Sequence, residues 1–200
     1  MNTRKPQPIG VILAGGVGRR IGGDKAIVEL CGRPLISYPL GAMGSVTADL
    51  AVVAKSDTRL PPLAGISVWI EPDEPRHPLV GLVHALERAS GRAVLVCAAD
   101  MPLITAMALR SLADADTGAA PAVIATGPGG LQPQLGRYEP AALAALAPAA
   151  AEGRRPLRET VAALGPALVE VPERALFNVN TAEDLARAEE LLEGSERFAP

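Results

Sequence analysis

Aromatic residues are nearly missing from this 200-residue chain, which carries one Trp, two Tyr and two Phe. A core built on large rings is thereby excluded, and many small Ala, Val and Leu contacts must fill it instead. The same scarcity, with a formal net charge of −3, argues against a general nucleic-acid binder, which would show a basic face and stacking rings. Cysteine is equally sparse. Cys31 and Cys97 lie far apart, with no second pair to make a zinc knuckle or a disulfide framework. Cys97 sits inside the apolar run 93–97 and reads as a small packing hydrophobe. No apolar run reaches the ~18–20 residues of a membrane span, and no signal-peptide cleavage pattern follows Met-Asn-Thr-Arg-Lys-Pro-Gln-Pro. The expectation is a cytoplasmic protein that engages neither membrane nor nucleic acid.

What is present fits a globular domain. The apolar fraction is 48% and the charged fraction 20%, both close to globular averages. The length suits one domain over residues 1–194, with 195–200 as a fraying tail. Residues 9–13 form a short apolar run that stops at Ala14-Gly15-Gly16, which reads as a buried strand feeding a glycine-rich loop. Further strands are expected at 49–54, 66–70 and 93–97. Helices are expected at 34–43, despite Pro39, at 78–89 and at 105–115. Strands alternating with helices imply βαβ units, and so an α/β three-layer fold with a mixed, mostly parallel, Rossmann-like sheet. Beyond residue 115 the pattern loosens. Strands are expected at 121–126 and 132–138 around Gly127-Pro128-Gly129-Gly130, then helices at 141–151 and 156–164. A strand at 167–171, a short one at 177–180 and a helix at 182–193 follow. Thr181 or Asn180 can cap that last helix.

The densest chemical signal is Leu13-Ala14-Gly15-Gly16-Val17-Gly18-Arg19-Arg20-Ile21-Gly22-Gly23-Asp24-Lys25. Glycines let backbone approach a ligand, successive N–H groups can cradle an anion, and Arg19 and Lys25 add mobile positive charge suited to a triphosphate. Neither familiar phosphate loop fits. A Walker loop needs Gly-Lys-Ser/Thr, and Gly23 is followed by Asp24. The dinucleotide fingerprint that begins at Gly16 needs glycine where Ile21 stands. A second signal is Asp100, just past the apolar run 93–97. The carboxyl end of a buried parallel strand is where open α/β sheets bind ligands, and one carboxylate suffices for Mg²⁺ held by nucleotide phosphates. An isolated Asp there is otherwise a turn or helix cap. His84, on an apolar helix, reads as a packing residue. His77 and Gly153-Arg154-Arg155 stand beside the sites where ligands would lie, and equally as loop and helix-end residues.

These segments, with Gly32-Arg33-Pro34-Leu35, Pro78-Leu79-Val80-Gly81-Leu82, Asp100-Met101-Pro102 and Asn178-Val179-Asn180-Thr181, resemble nucleotidyltransferases with a Leu-Ala-Gly-Gly loop. The resemblance is closest to the MobA-type molybdenum cofactor guanylyltransferases, and it spans nearly the whole chain in the family's order. It implies a fold like that of the nucleotide-diphospho-sugar transferases, with nucleotide in the half 9–115 and acceptor in the half 116–194. It implies Mg²⁺-dependent transfer of GMP from GTP to the phosphate of molybdopterin, free or molybdenum-loaded, with molybdoenzymes or their chaperones as onward partners. Leu13, Ala14, Gly15 and Gly16 would line the nucleotide, Arg19 and Lys25 would act on its phosphates, and Asp100 would hold the metal. An acidic residue after the third strand also contacts nucleotide in the family. Asp73 is the candidate here, with Glu71 as competitor. Asn178 and Asn180 would face the pterin substrate, or alternatively serve a turn and a helix cap. The chain departs from the family at Ala54, where an Asn is expected. That leaves open cytidylyl transfer and a non-catalytic nucleotide-binding adaptor.

Overall fold

A computed structural model describes residues 6–15, 25–153 and 156–196 of the chain, side chains included through residue 194. It opens with strand β1 (Ile9–Leu13), a short hairpin of β2 (Glu29–Leu30) and β3 (Arg33–Pro34), helix α1 (Ser37–Gly44), then β4 (Leu50–Ala54) and β5 (Ser67–Ile70). Helix α2 (Pro78–Arg88), β6 (Val94–Ala98) and α3 (Ala106–Asp114) complete the regular half. After them come β7 (Ala122–Gly127), β8 (Gly130–Tyr138), α4 (Leu143–Glu152), α5 (Leu157–Ala162), β9 (Ala167–Glu170) and α6 (Ala182–Glu196).

The large sheet has seven strands in the order β5-β4-β1-β6-β8-β7-β9. β1 pairs in parallel with both β4 and β6, while β8 is antiparallel to both its neighbours. The mixed, mostly parallel sheet expected from the alternating pattern is therefore present. The chain leaves β1 toward β5, then returns to β6 on the other side of β1. That reversal makes a crevice beyond the carboxyl ends of β1 and β6, the usual ligand site of such sheets.

Strand alternation divides the core cleanly. Ile12, Val52, Ala54, Leu95 and Cys97 point to the face covered by Ile36, Leu40 and Met43 near or on α1 and by Leu109 and Leu112 of α3. Val11, Val53, Val94 and Val96 point to the other face, against Leu79, Leu82 and Leu86 of α2, Leu146 of α4 and Val161 of α5. Cys97 is fully buried, and burial pushes its thiol far above the ordinary range, in keeping with a packing role. A third cluster of Leu30, Leu35, Val179 and Ala188 seats α6 on the β2–β3 hairpin.

Three differences from the sequence reading have physical causes. Residues 177–180 are not a strand, because the Val179 amide bonds the Asp100 carbonyl at 2.9 Å, beyond the end of β6, instead of joining a ladder. The β2–β3 hairpin was not expected. Its turn, Cys31-Gly32, has φ of 48° and 72°, and the first of these positions usually carries Asn, Asp or Gly. Helix α1 starts at Ser37, so Pro39 falls in its first turn, where a missing N–H costs no intrahelical bond. Two glycines, one tightly packed and one in open space, then make opposite predictions. A Cβ at Gly10 would lie 2.4 Å from Thr47 Oγ1 and 2.5 Å from Met43 Cγ, whereas one at Gly41, exposed in α1, meets nothing. Gly10→Ala should lose about 1–3 kcal/mol and Gly41→Ala should gain about 0.5–1 kcal/mol, read from urea-unfolding midpoints; equal shifts would contradict this packing.

Candidate active site at the carboxyl edge of the sheet

The carboxyl ends of the parallel strands each deliver a polar or small residue to one edge. β1 ends into Ala14 and Gly15, β4 into Lys55, β5 into Glu71, and β6 into Asp100 two residues on. Hydrogen bonds from Ala14 N to the Val53 carbonyl (2.8 Å) and from Ala99 N to the Leu13 carbonyl (3.0 Å) carry the sheet's order past the strand ends.

Lys25 lies at the centre. Its Nζ donates to Asp100 Oδ2 at 2.8 Å and to Asn180 Oδ1 at 2.6 Å. Three residues singled out separately in the sequence thus meet at one ammonium. Asn180 is free for this because the cap of α6 is made by its neighbour. Asp184 N bonds Thr181 Oγ1 at 3.1 Å, and Asp184 Oδ2 accepts from the Asn180 and Thr181 amides at 2.8 and 2.9 Å. Lys25 and Asp100 retain 15% and 21% side-chain exposure, enough for either to exchange partners with an incoming ligand.

Next to this group a cavity of about 190 Å³ is lined by Leu13, Gly15, Lys55, Glu71, His77 and Gly81, among others. Lys55 and Glu71 form its buried polar element, with side chains 2% and 5% exposed and Nζ 3.6 Å from Oε2. Lys55 also donates to the Pro72 carbonyl, whereas Glu71 Oε2 has no hydrogen-bond partner. Burial raises the Glu71 pKa above the ordinary carboxylate value, with the Lys55 ammonium as the main opposing influence. A Cβ at Gly15 would lie 2.4 Å from Glu71 Oε1, and one at Gly81 3.0 Å from Oε2, so both glycines make room for this carboxylate. His77 caps α2, its Nδ1 accepting from Leu79 N at 3.2 Å.

Asp73 is placed elsewhere. Its carboxylate accepts from Ser56 Oγ at 2.9 Å and Ser56 N at 3.2 Å on the exposed side of the loop, and it does not line the cavity. Its competitor Glu71 does. The signal for preferring Glu71 was available, since it is the first residue past β5, as Lys55 is past β4. Gly16 and Arg19, with the rest of 16–24, lie outside the described residues, as do Arg154 and Arg155. Leu13 and Gly15 line the cavity, and Ala14 follows β1 directly beside it. Asn178 lies at the rim of a second cavity, its Nδ2 bonded to the Leu176 carbonyl at 3.2 Å.

Comparison with known proteins bears on the family and the fold. Residues 10–168 match the MobA-like NTP transferase domain. The chain is 37% identical over 189 residues to the molybdenum cofactor guanylyltransferase of Cereibacter sphaeroides, covering 92% of this chain and 96% of that one. Its fold superposes on molybdopterin-guanine dinucleotide biosynthesis protein A of Archaeoglobus fulgidus with a TM-score of 0.73 and 25% identity, over 93% of this chain and 99% of the other. The 2-C-methyl-D-erythritol 4-phosphate cytidylyltransferase of Thermus thermophilus shares the fold, with a TM-score of 0.70 and 22% identity over 92% and 98% of the two chains.

The buried pair makes its own prediction. Lys55→Met leaves Glu71 as an uncompensated buried carboxylate and should cost about 3–5 kcal/mol near neutral pH. The folded-state pKa of Glu71 then lies further above its unfolded value, so stability falls as pH rises between the two. Urea unfolding should therefore show a larger loss at pH 8 than at pH 5, and a loss independent of pH would contradict the pairing.

Proposed function

Because the chain belongs to the MobA-like NTP transferase family, we propose that it transfers GMP from GTP to the terminal phosphate of molybdopterin, releasing pyrophosphate. The observation that carries this reading is the Lys25 ammonium, held between Asp100 and Asn180 at the switch point of the sheet. It puts a positive charge beside the Asp100 carboxylate and beside the segment from the C-terminal half.

The acceptor needs little activation. A phosphate monoester is mostly dianionic near neutral pH, its second pKa being ~6. One of its oxygens attacks the α-phosphorus of GTP, and the bond from that phosphorus to the bridging oxygen of pyrophosphate breaks. The protein's task is alignment and neutralisation of the departing charge. Lys25 binds the triphosphate, with Arg19 as its companion on the glycine-rich loop, and Leu13, Ala14, Gly15 and Gly16 bring backbone against the nucleotide. Asn180 holds Lys25 in place, and Asn178 faces the acceptor.

The guanine end fits the buried cavity. Glu71 Oε2 is an acceptor without a donor, and guanine presents two donors side by side, N1–H and the 2-amino group. Cytosine and adenine present an acceptor nitrogen on the corresponding edge and would meet a carboxylate unfavourably. Lys55, which follows the position where the family carries Asn, supplies a donor for the guanine O6.

Asp100 also fits magnesium. Among the described residues no group of three or more potential ligating side chains occurs, and Mg²⁺ held by nucleotide phosphates needs only one or two protein carboxylates. The chemistry such an ion supplies is neutralisation of phosphate charge.

Calorimetric titration with GTP, CTP and ATP, each with and without Mg²⁺, tests the reading, and a clear GTP preference is expected. A CTP preference would move the enzyme to cytidylyl transfer, and failure of all three to bind would overturn nucleotide use. Lys25→Ala should weaken triphosphate binding about tenfold or more. Asp100→Ala should fold normally yet lower turnover by about 10²–10³-fold, and full turnover in that variant would remove Asp100 from the mechanism.

A further inference from the structure

Strand β8 carries an irregularity that the nucleotide site leaves unexplained. Against β7, Gly136 pairs with Ile124 and Gln132 with the next residue, Ala125, so Pro133, Gln134 and Leu135 bulge out on that side. On its other side β8 keeps Leu135 opposite Cys97 of β6. The bulge is built rather than incidental. Tyr138, fully buried, donates its hydroxyl to the Pro133 carbonyl at 2.5 Å. Gly136 lies so close to β7 that a Cβ there would meet the Val123 carbonyl oxygen at 2.5 Å. Bulges of this kind re-aim side chains and concentrate next to active sites.

One carboxamide lies on the bulge and another borders it. Gln132 and Gln134 both line a second cavity, of about 260 Å³, together with Met101, Leu157, Arg158 and Asn178. Gln134 and Pro78 line the nucleotide cavity as well, so the two cavities adjoin across them. Cβ positions built on Gly129 and Gly130 place Gln132 Nε2 and Arg158 Nη1 3.6 and 3.8 Å away, over the β7–β8 turn. The remaining walls, from Pro133, Leu135, Leu157 and Met101, are apolar.

Resting on the guanylyl-transfer reading, we propose that Gln132 and Gln134 read the pyrimidine edge of the acceptor's pterin ring in this second cavity. A carboxamide offers one acceptor and two donors. The pterin edge alternates in the same way, with the 4-oxo acceptor, the N3–H donor, the 2-amino donor and the N1 acceptor. The two carboxamides, Gln134 on the bulge and Gln132 beside it, span that edge, while Met101 and Leu157 cover the ring faces and Arg158 supplies charge for an anionic substituent. The adjoining nucleotide cavity then lies where the acceptor's phosphate must reach.

The test uses 6-hydroxymethylpterin phosphate and its lumazine counterpart, in which a 2-oxo group replaces the 2-amino group. Both are titrated into the full chain with a non-hydrolysable GTP analogue present. The wild type should prefer the pterin. Gln132→Leu and Gln134→Leu should each weaken pterin binding about tenfold and compress the preference over lumazine, and Gln132→Leu, at a residue that lines the second cavity and not the nucleotide cavity, should leave titration with GTP unchanged. Gln134→Asn keeps the amide but withdraws it by one methylene, and should show the same pattern if the leucine variant fails to fold. The proposal is overturned if the wild type does not discriminate, if neither compound binds, if both variants keep the preference, or if GTP affinity falls with pterin affinity in Gln132→Leu. Failure of the wild type to bind GTP would instead count against guanylyl transfer itself.

Discussion

One ammonium group, that of Lys25, ties together stretches of chain that are far apart in sequence, and the site depends on where it is held. Lys25 stands just before β2, Asp100 receives it past the end of β6, and Asn180 receives it from the approach to α6. The two partners are also tied to each other. The Val179 amide anchors its segment to the Asp100 carbonyl, and Val179 is buried against Leu30 and Leu35 beneath α6. The C-terminal helix therefore acts on the site through packing, by setting the position of an asparagine it does not use as a cap.

The energetics of this contact differ from those of the Lys55–Glu71 pair. Lys25 and Asp100 keep partial contact with water, and such pairs contribute only about 0–1 kcal/mol to stability. Their contact is weak enough to be exchanged for phosphate oxygens, which bring more negative charge than one carboxylate. Lys55 and Glu71 are almost wholly withdrawn from water, where removing one partner is costly and the pair is held in a fixed arrangement. An exchangeable pair suits the reacting end of a nucleotide, and a fixed pair suits the end that must be read without moving.

Much of this was legible in the sequence, and the reason is geometric. A buried parallel strand is a continuous apolar run that ends abruptly, and the residue at its carboxyl end lies on the ligand edge. Leu13 and Asp100 could be found by that logic, and Lys25 by the glycine-rich stretch that precedes it. The same logic, applied strictly, selects Glu71 over Asp73, because Glu71 directly follows β5 while Asp73 is spent on Ser56. What stayed hidden depends on tertiary pairing that leaves no periodic trace. Arg137 is an example, an arginine within an apparent strand that is buried because its guanidinium caps the last carbonyls of α3, at Leu112, Ala113 and Ala115. The bulge in β8 is another, since its register is set by Tyr138 and Gly136 together and not by either residue type alone.

That bulge also bears on how one sheet serves two ligands. Six of its seven strands run in one direction, and their carboxyl ends make a single edge. The one reversed strand brings its amino-terminal half to that same edge, so β8 reaches the site with the start of a strand instead of the loop beyond one. Gly130, Leu131 and Gln132 at that start are paired with β7, and the ladder to β6 begins at Leu135, so a side chain there is placed more rigidly than one on a connecting loop. On the proposed reading, the nucleotide lies past the ends of β1, β4 and β5, and the acceptor is seated against β8. In-line transfer requires one partner to be aligned against the other, and a sheet with a single reversed strand supplies the fixed side of that alignment.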